Sequence, residues 1–356
     1  MHPVRTSRFQ RWSPKPDRGT VRLRPLALWN VLDLRQLART RDIVALPVEL
    51  GLPLQQAVFA NILGPRTRSR LLVARDRELG LVLVQVAAEP DPDHWLVTRL
   101  LTSTKTDGPD FVVRWQSILE ETIRLAGNCG VASVQALLPP AAPIVEAFER
   151  AGFQSFRLLT VMMARMLSPA CGGDDRVRPQ SSHDAWSVMR LYERVTPRPV
   201  QYAAWRGRGS WQPGRREGWR IRGFLLREED PALAYCQVRS RRACHVLEVL
   251  ADPQAIDRVS VLVRSALERS RVRSVDRVWA LVPEDAVGLR AELESLGFRG
   301  VEQRVWWVRY TAQRSRARAM RTARALRELQ EAVAAGVPVY SRFQREISLL
   351  AEAEVD

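Results

Sequence analysis

Apolar and polar positions alternate with period two over residues 71–74, 81–87 and 95–101, then recur at helical spacing over 110–126. The same succession returns in the second half, as strands at 223–226, 232–238 and 244–250 before a helix at 256–270. Each helix is followed by an apolar run that stops at proline, Val134-Gln135-Ala136-Leu137-Leu138-Pro139 and Val278-Trp279-Ala280-Leu281-Val282-Pro283. A second helical pattern and a Gly-Phe pair come next, Gly152-Phe153 and Gly297-Phe298, at proline-to-glycine spacings of 13 and 14 residues. Apolar strands at 158–166 and 303–310 close the two copies. Both halves therefore predict helix(es)–β–β–β–α–β–α–β, an antiparallel meander followed by a right-handed crossover. A repeat of about 145 residues is a duplicated domain, not a solenoid.

The length of 356 residues suits two domains. Small and turn-forming residues from Ser168 to Asp175 mark the break between them. The expected division is a flexible basic arm at 1–20, a first domain at 21–167, a linker at 168–180, a second domain at 181–311, and a C-terminal basic helix and tail at 312–356. Hydrophobic residues at 46% and charged residues at 26% describe a folded chain. The net charge is +16, and all but Lys15 and Lys105 of the 55 cations are arginine. Seven cations and one acid fall between Met1 and Arg24, and six arginines with no acid fall between Gln313 and Arg327. The body between these segments is nearly balanced.

Cys129, Cys171, Cys236 and Cys244 show no CxxC spacing, and His2, His94, His183 and His245 are scattered, so no metal site is expected. The longest uncharged run, 125–145, holds Asn128, Gln135 and three prolines and cannot span a membrane. With no apolar leader after the basic N-terminus, a cytoplasmic protein is the expectation.

The strand–Pro–helix–Gly-Phe–strand ending, present twice behind a three-strand meander, resembles the GNAT N-acetyltransferase superfamily in tandem. The expected fold class is α/β (α+β mixed sheet): two tandem GNAT-like domains plus a C-terminal basic helix. The resemblance covers about 21–167 and 181–311. It implies acetyl-CoA or another acyl-CoA as co-substrate, bound where the fourth and fifth strands of a domain splay apart. The pyrophosphate would sit on backbone N–H groups opening the crossover helix. The family signature there, Gln/Arg-x-x-Gly-x-Gly/Ala, is degenerate in both halves. The second half opens its helix with Asp252-Pro253-Gln254-Ala255-Ile256-Asp257, two acids at an anion seat. In the first half Ser103, Thr104, Lys105, Thr106 and Gly108 form a polar loop suited either to cradle phosphate or to lead into a helix capped by Asp110. The tyrosine that often serves the family as general acid is replaced by Phe148 and Leu293.

Glu248 is the candidate general base, a carboxylate within the apolar strand Cys244-His245-Val246-Leu247-Glu248-Val249-Leu250. The other reading of Glu248 is an ion pair with Arg239 or Arg241 across the meander. The first half offers Arg99 at the matching strand and no acid. The segment from Trp205 to Arg220 interleaves arginine with tryptophan, and Trp205, Arg206, Arg208 and Trp211 are its candidate substrate-binding residues. Its tryptophans equally suit packing against the body. Two functions stand open. One is an acyl-CoA-dependent N-acyltransferase acting on a small-molecule or peptide amine. The other is a catalytically inactive tandem GNAT-like module for an acidic partner such as nucleic acid, bound weakly through the basic helix at 314–327.

Overall fold

The computed structural model describes residues 22–26, 41–45, 54, 56–58, 69–76, 79–88, 94–103, 110–165, 176–203, 206, 208–216, 218–226 and 232–311. The arm at 1–20 and the basic helix at 314–327 lie outside the described residues.

The first half runs β1 (Arg24–Pro25), β2 (Arg41–Ala45), β3 (Ser69–Asp76), β4 (Gly80–Ala87), β5 (His94–Thr102), α1 (Phe111–Asn128), β6 (Ser133–Leu138), α2 (Val145–Arg150) and β7 (Gln154–Ala164). The second half opens with β8 (Val177–Pro179), α3 (Ala185–Val195), α4 (Arg198–Ala203), β9 (Gly214–Arg216), β10 (Trp219–Leu226), β11 (Ala234–Arg241) and β12 (Cys244–Ala251). It continues through a 3₁₀ turn (Pro253–Arg258) into α5 (Val259–Arg269), β13 (Arg277–Pro283), α6 (Leu289–Ser295) and β14 (Arg299–Tyr310). This is the mixed α/β, tandem GNAT-like order read from the sequence. β2 and β9 are additional strands. β8 falls inside the segment expected as linker, where it pairs with β10 through Phe224↔Pro179 to Leu226↔Val177.

The Gly-Phe pairs do what their chemistry requires. Gly152 and Gly297 have φ of +79° and +92°, the left-handed region that a side chain resists. The following aromatics turn back onto the helix just left: the Phe153 N–H donates to the Phe148 carbonyl at 3.0 Å and the Phe298 N–H to Leu293 at 3.1 Å. The rings of Phe148 and Phe153 meet edge-on at 4.7 Å.

All described strands join one mixed sheet, in the order β1-β3-β4-β5-β6-β14-β7-β13-β12-β11-β10-β8, with β2 beside β5 and β9 beside β10. The halves exchange their closing strands. β14, from the second half, pairs antiparallel with β6 of the first, and β7, from the first half, pairs antiparallel with β13 of the second. β7 and β14 also pair with each other. The cores follow the exchange. Trp307 of β14 belongs to the apolar cluster under α1, and Met162 and Ala164 of β7 belong to the cluster under α5 and α6. Strand alternation sends Leu247 and Ala280 into that second cluster and Val246 and Trp279 to the opposite face. On that opposite face α3 packs Val188, Leu191 and Tyr192 against Trp211, Leu225, Tyr235 and Leu250. No helix among the described residues is long and apolar enough to cross a membrane.

The entry to α3 is fixed by charge. Asp184 accepts two hydrogen bonds from Arg178, at 2.7 and 2.8 Å, and one from the Ser181 backbone N–H at 2.7 Å. These bonds hold its carboxyl well below the ordinary carboxylate range, the Arg178 contribution being the largest. As pH falls the unfolded chain takes up this proton before the native one. The stabilisation is therefore complete above about pH 4 and is lost on further acidification. Asp184→Ala is expected to lower stability at pH 7 by about 1 kcal/mol or more. In urea unfolding the gap to the parent chain should narrow below pH 4.

Candidate active site

In each half a parallel strand pair begins zipped and then parts. β5 and β6 pair from His94↔Ser133 to Val97↔Ala136. Beyond that point β2 lies antiparallel along β5, from Arg41↔Thr102 to Ala45↔Arg99. Val44 of β2 is buried in the first core, and Asp42 lies 3.6 Å from the Arg99 guanidinium. The first fork is thus filled by the protein's own backbone. Ser103 is turned onto β4, its N–H donating to the Leu81 carbonyl at 3.0 Å and its Oγ accepting from the Leu81 N–H at 2.8 Å. Of the candidate phosphate loop, only Ser103 falls among the described residues. The gap through which a bound cofactor would continue already holds a strand. Thr104, Lys105, Thr106 and Gly108 themselves lie outside the described residues.

The second fork is open. β12 and β13 pair from Cys244↔Arg277 to Leu247↔Ala280 and then diverge, β12 through Ala251 and β13 through Pro283. No described strand lies between them. A cavity of about 350 Å³ is lined by both arms of this fork and by β5, β6, β7, β14, α3 and α4. It is shared by the two halves because the exchanged strands carry first-half residues across to it.

Glu248 is the first residue of β12 past the fork and lines the cavity. Its carboxylate accepts a hydrogen bond from Arg206 and lies 3.6 Å from Arg239, while Arg206 and Arg239 are only 16% and 14% exposed. The ion-pair reading of Glu248 therefore describes this state, with Arg239 as one of the two partners. Arg241 instead lies over Trp219 at 4.3 Å. A carboxylate between two guanidiniums must exchange one of these partners before it can meet a substrate group.

Of the other candidates, Arg206 faces the cavity, Trp205 lies outside the described residues, and Arg208 opens the short 3₁₀ helix Arg208–Trp211. Trp211 is wholly enclosed between Tyr192 and Tyr235, at ring distances of 5.3 and 5.9 Å. Its place matches the packing reading of these tryptophans, and the Arg206 guanidinium sits 5.2 Å above its ring. Phe148 and Leu293 are completely buried. His245 is bonded to Ser240 at 2.9 Å and Asp276 at 3.2 Å, and it does not line the cavity. Burial lowers its pKa.

The anion seat at the helix start is capped from within. The Asp252 carboxylate accepts from the Gln254 N–H at 3.1 Å and pairs with Arg194 at 2.7 Å. Among the described residues no group of three or more His, Cys, Asp or Glu side chains gathers to hold a metal.

Sequence reasoning did not find several of the polar groups facing the cavity, Tyr192, Arg157 and Gln135 among them. Tyr192 projects from α3, and burial raises its phenol above the ordinary value, with Glu248 adding and Arg206 opposing. Arg157 of β7 makes a two-fold bond to Asp285, at 2.9 and 3.0 Å. Gln135 accepts from the Trp306 indole N–H at 3.2 Å. Arg157 and Gln135 belong to the first half and reach a site on the second only through the strand exchange, for which the chain carries no local signal. Tyr192 sits at a buried helical position that looks like ordinary core.

Replacing Glu248 by glutamine leaves Arg206 and Arg239 facing each other in a partly dry wall. Glu248→Gln is expected to cost about 1–3 kcal/mol in urea unfolding. Adding Arg239→Gln should recover part of that loss.

No family model and no curated protein matches the sequence. Among solved structures the chain is similar to a tandem GNAT protein from the clavulanic acid biosynthesis pathway, without AcCoA. Identity is 16% over 82% of this chain and 98% of that one, with a TM-score of 0.48. A GCN5-related N-acetyltransferase from Sphaerobacter thermophilus is 13% identical over 68% and 81% of the two chains, with a TM-score of 0.44. A second, from Kribbella flavida, is 12% identical over 79% and 93%, with a TM-score of 0.40. The mixed α/β architecture, with the same element order in each half, rests on the chain's own strand order.

Proposed function

We propose that the second half is an acyl-CoA-dependent N-acyltransferase, with acetyl-CoA as the reference donor, and that the first half is its scaffold. The division near 168–180, shortened by β8, separates the two units. One observation carries this reading: β12 and β13 part at Leu247 and Ala280 onto a cavity, and Glu248 stands at the parting. Unpaired strand edges can bind the amides of an extended acyl-thioester arm as a further strand would. The first fork, closed by β2, cannot. Asp252 disfavours a pyrophosphate on the helix start, and it also holds Arg194 as its own partner.

The chemistry follows from the groups in the cavity. Glu248 leaves Arg206 and takes the proton of the acceptor's ammonium. The free amine forms its N–C bond at the thioester carbonyl, and the C–S bond breaks. Tyr192, kept protonated by burial, gives its proton to the departing sulfur and regains one from the acylated nitrogen, which sheds its second proton as the amide forms. Glu248 releases the ammonium proton to solvent. Phe148 and Leu293 leave that role empty at the position where the resemblance looks for it.

Titrating the dialysed chain with acetyl-CoA and with CoA should raise its melting temperature saturably. At ligand a hundredfold above Kd the gain corresponds to about 2.7 kcal/mol. Ala251→Trp, placed on the diverging arm of β12, should abolish the shift while leaving the unliganded melt close to the parent. No shift at millimolar ligand would leave the catalytically inactive module as the function.

A further inference from the structure

The charges around the cavity do not balance, and the imbalance has an address. Arg157 is engaged by Asp285 through two bonds, and Arg194 by Asp252. Among the described residues Arg206 and Arg239 share one acidic partner, Glu248. Among the described residues the Arg239 guanidinium donates one hydrogen bond, from Nε to Gln237 at 2.9 Å, and its terminal nitrogen is 3.6 Å from Glu248, too far for another. One positive charge with donors to spare thus faces the chamber, whose apolar lining includes Leu96, Leu137, Leu159 and Trp306. The position of Arg239 is fixed from behind, since Gln237 donates to the Tyr235 hydroxyl at 3.1 Å and that hydroxyl donates to Gln180 at 3.0 Å.

We propose that the acceptor is an amine that also carries a single carboxylate and an apolar body, an amino acid with both its α-amino and α-carboxyl groups free. Its carboxylate takes the place of Glu248 on Arg239 and Arg206, and its ammonium takes the place of those arginines on Glu248. Each end of the zwitterion replaces one partner of the resident ion pair, so no charge is left unpaired in the wall. The apolar body lies on the leucines and Trp306. A phosphate would bring more negative charge than the single surplus cation can meet. This inference rests on reading the cavity as the acceptor chamber of the proposed transferase.

The full-length chain without donor is titrated with L-phenylalanine, L-phenylalaninamide, 3-phenylpropionate and phosphoethanolamine, with binding followed by saturation-transfer NMR and calorimetry. L-Phenylalanine should bind saturably and about tenfold or more tighter than the other three. Arg239→Gln should reduce its preference over the amide to about one, and Arg239→Lys should keep part of it. If Arg239→Gln melts early, Arg206→Lys gives the same comparison with the charge retained and the fork of donors removed. An amide that binds as tightly as the acid, a preference that survives Arg239→Gln, tighter phosphoethanolamine, or no saturable L-phenylalanine binding up to about 20 mM would each overturn the inference. A parallel acetyl-CoA titration separates the two claims. Donor binding without carboxylate preference overturns only the acceptor class, and carboxylate preference without donor binding overturns only the transferase reading.

Discussion

A strand inside a sheet has two edges, and when its neighbour on one side departs, the exposed N–H and C=O groups need another partner. Both halves of this chain meet that requirement at the same place, where a parallel pair diverges ahead of a crossover helix. They meet it differently. In the first half β2 lies in the gap and completes the ladder along β5. In the second half no described strand does so, and the gap opens onto the cavity. One fold, used twice, has become one closed unit and one open unit, and the asymmetry decides where chemistry can take place.

The open unit is preorganised by packing rather than by a bound group. Trp211, fixed between two tyrosine rings, carries Arg206 on its face, and a chain of amide and phenol hydrogen bonds from Gln180 to Gln237 sets Arg239. Both cations reach the cavity on stiff supports, so little side-chain entropy remains to be lost when an anion arrives. The same supports set two guanidiniums beside Glu248 where leucine and valine flank it in the strand.

Much of the fold was legible in the sequence because its signals are local. Period-two alternation marked the meander strands, and the Gly-Phe pairs marked helix ends where a left-handed residue is needed. What escaped was decided by pairing over long distances. β7 and β14 read as the closing strands of their own halves, and an apolar strand satisfies either neighbour equally well, so the exchange has no local signature. β2 is a short segment whose role depends on the edge it finds. The candidate site was legible at Glu248 and Arg206, where charge interrupts an apolar or aromatic pattern. Tyr192 and Arg157 were hidden because nothing near them in the chain distinguishes a cavity wall from core, and Trp211 stayed open because an aromatic between arginines suits both a contact surface and a buried support.

The placement of β14 sets an order on how this molecule is made. It is the last described strand to leave the ribosome, yet it lies near the middle of the sheet, between β6 and β7. Until residues 299–310 emerge, β6 has a bare edge, and Trp307 is missing from the apolar cluster under α1. Nascent chains must carry that unpaired edge while the 160 residues between β6 and β14 are made, a state open to wrong pairing and to capture by chaperones.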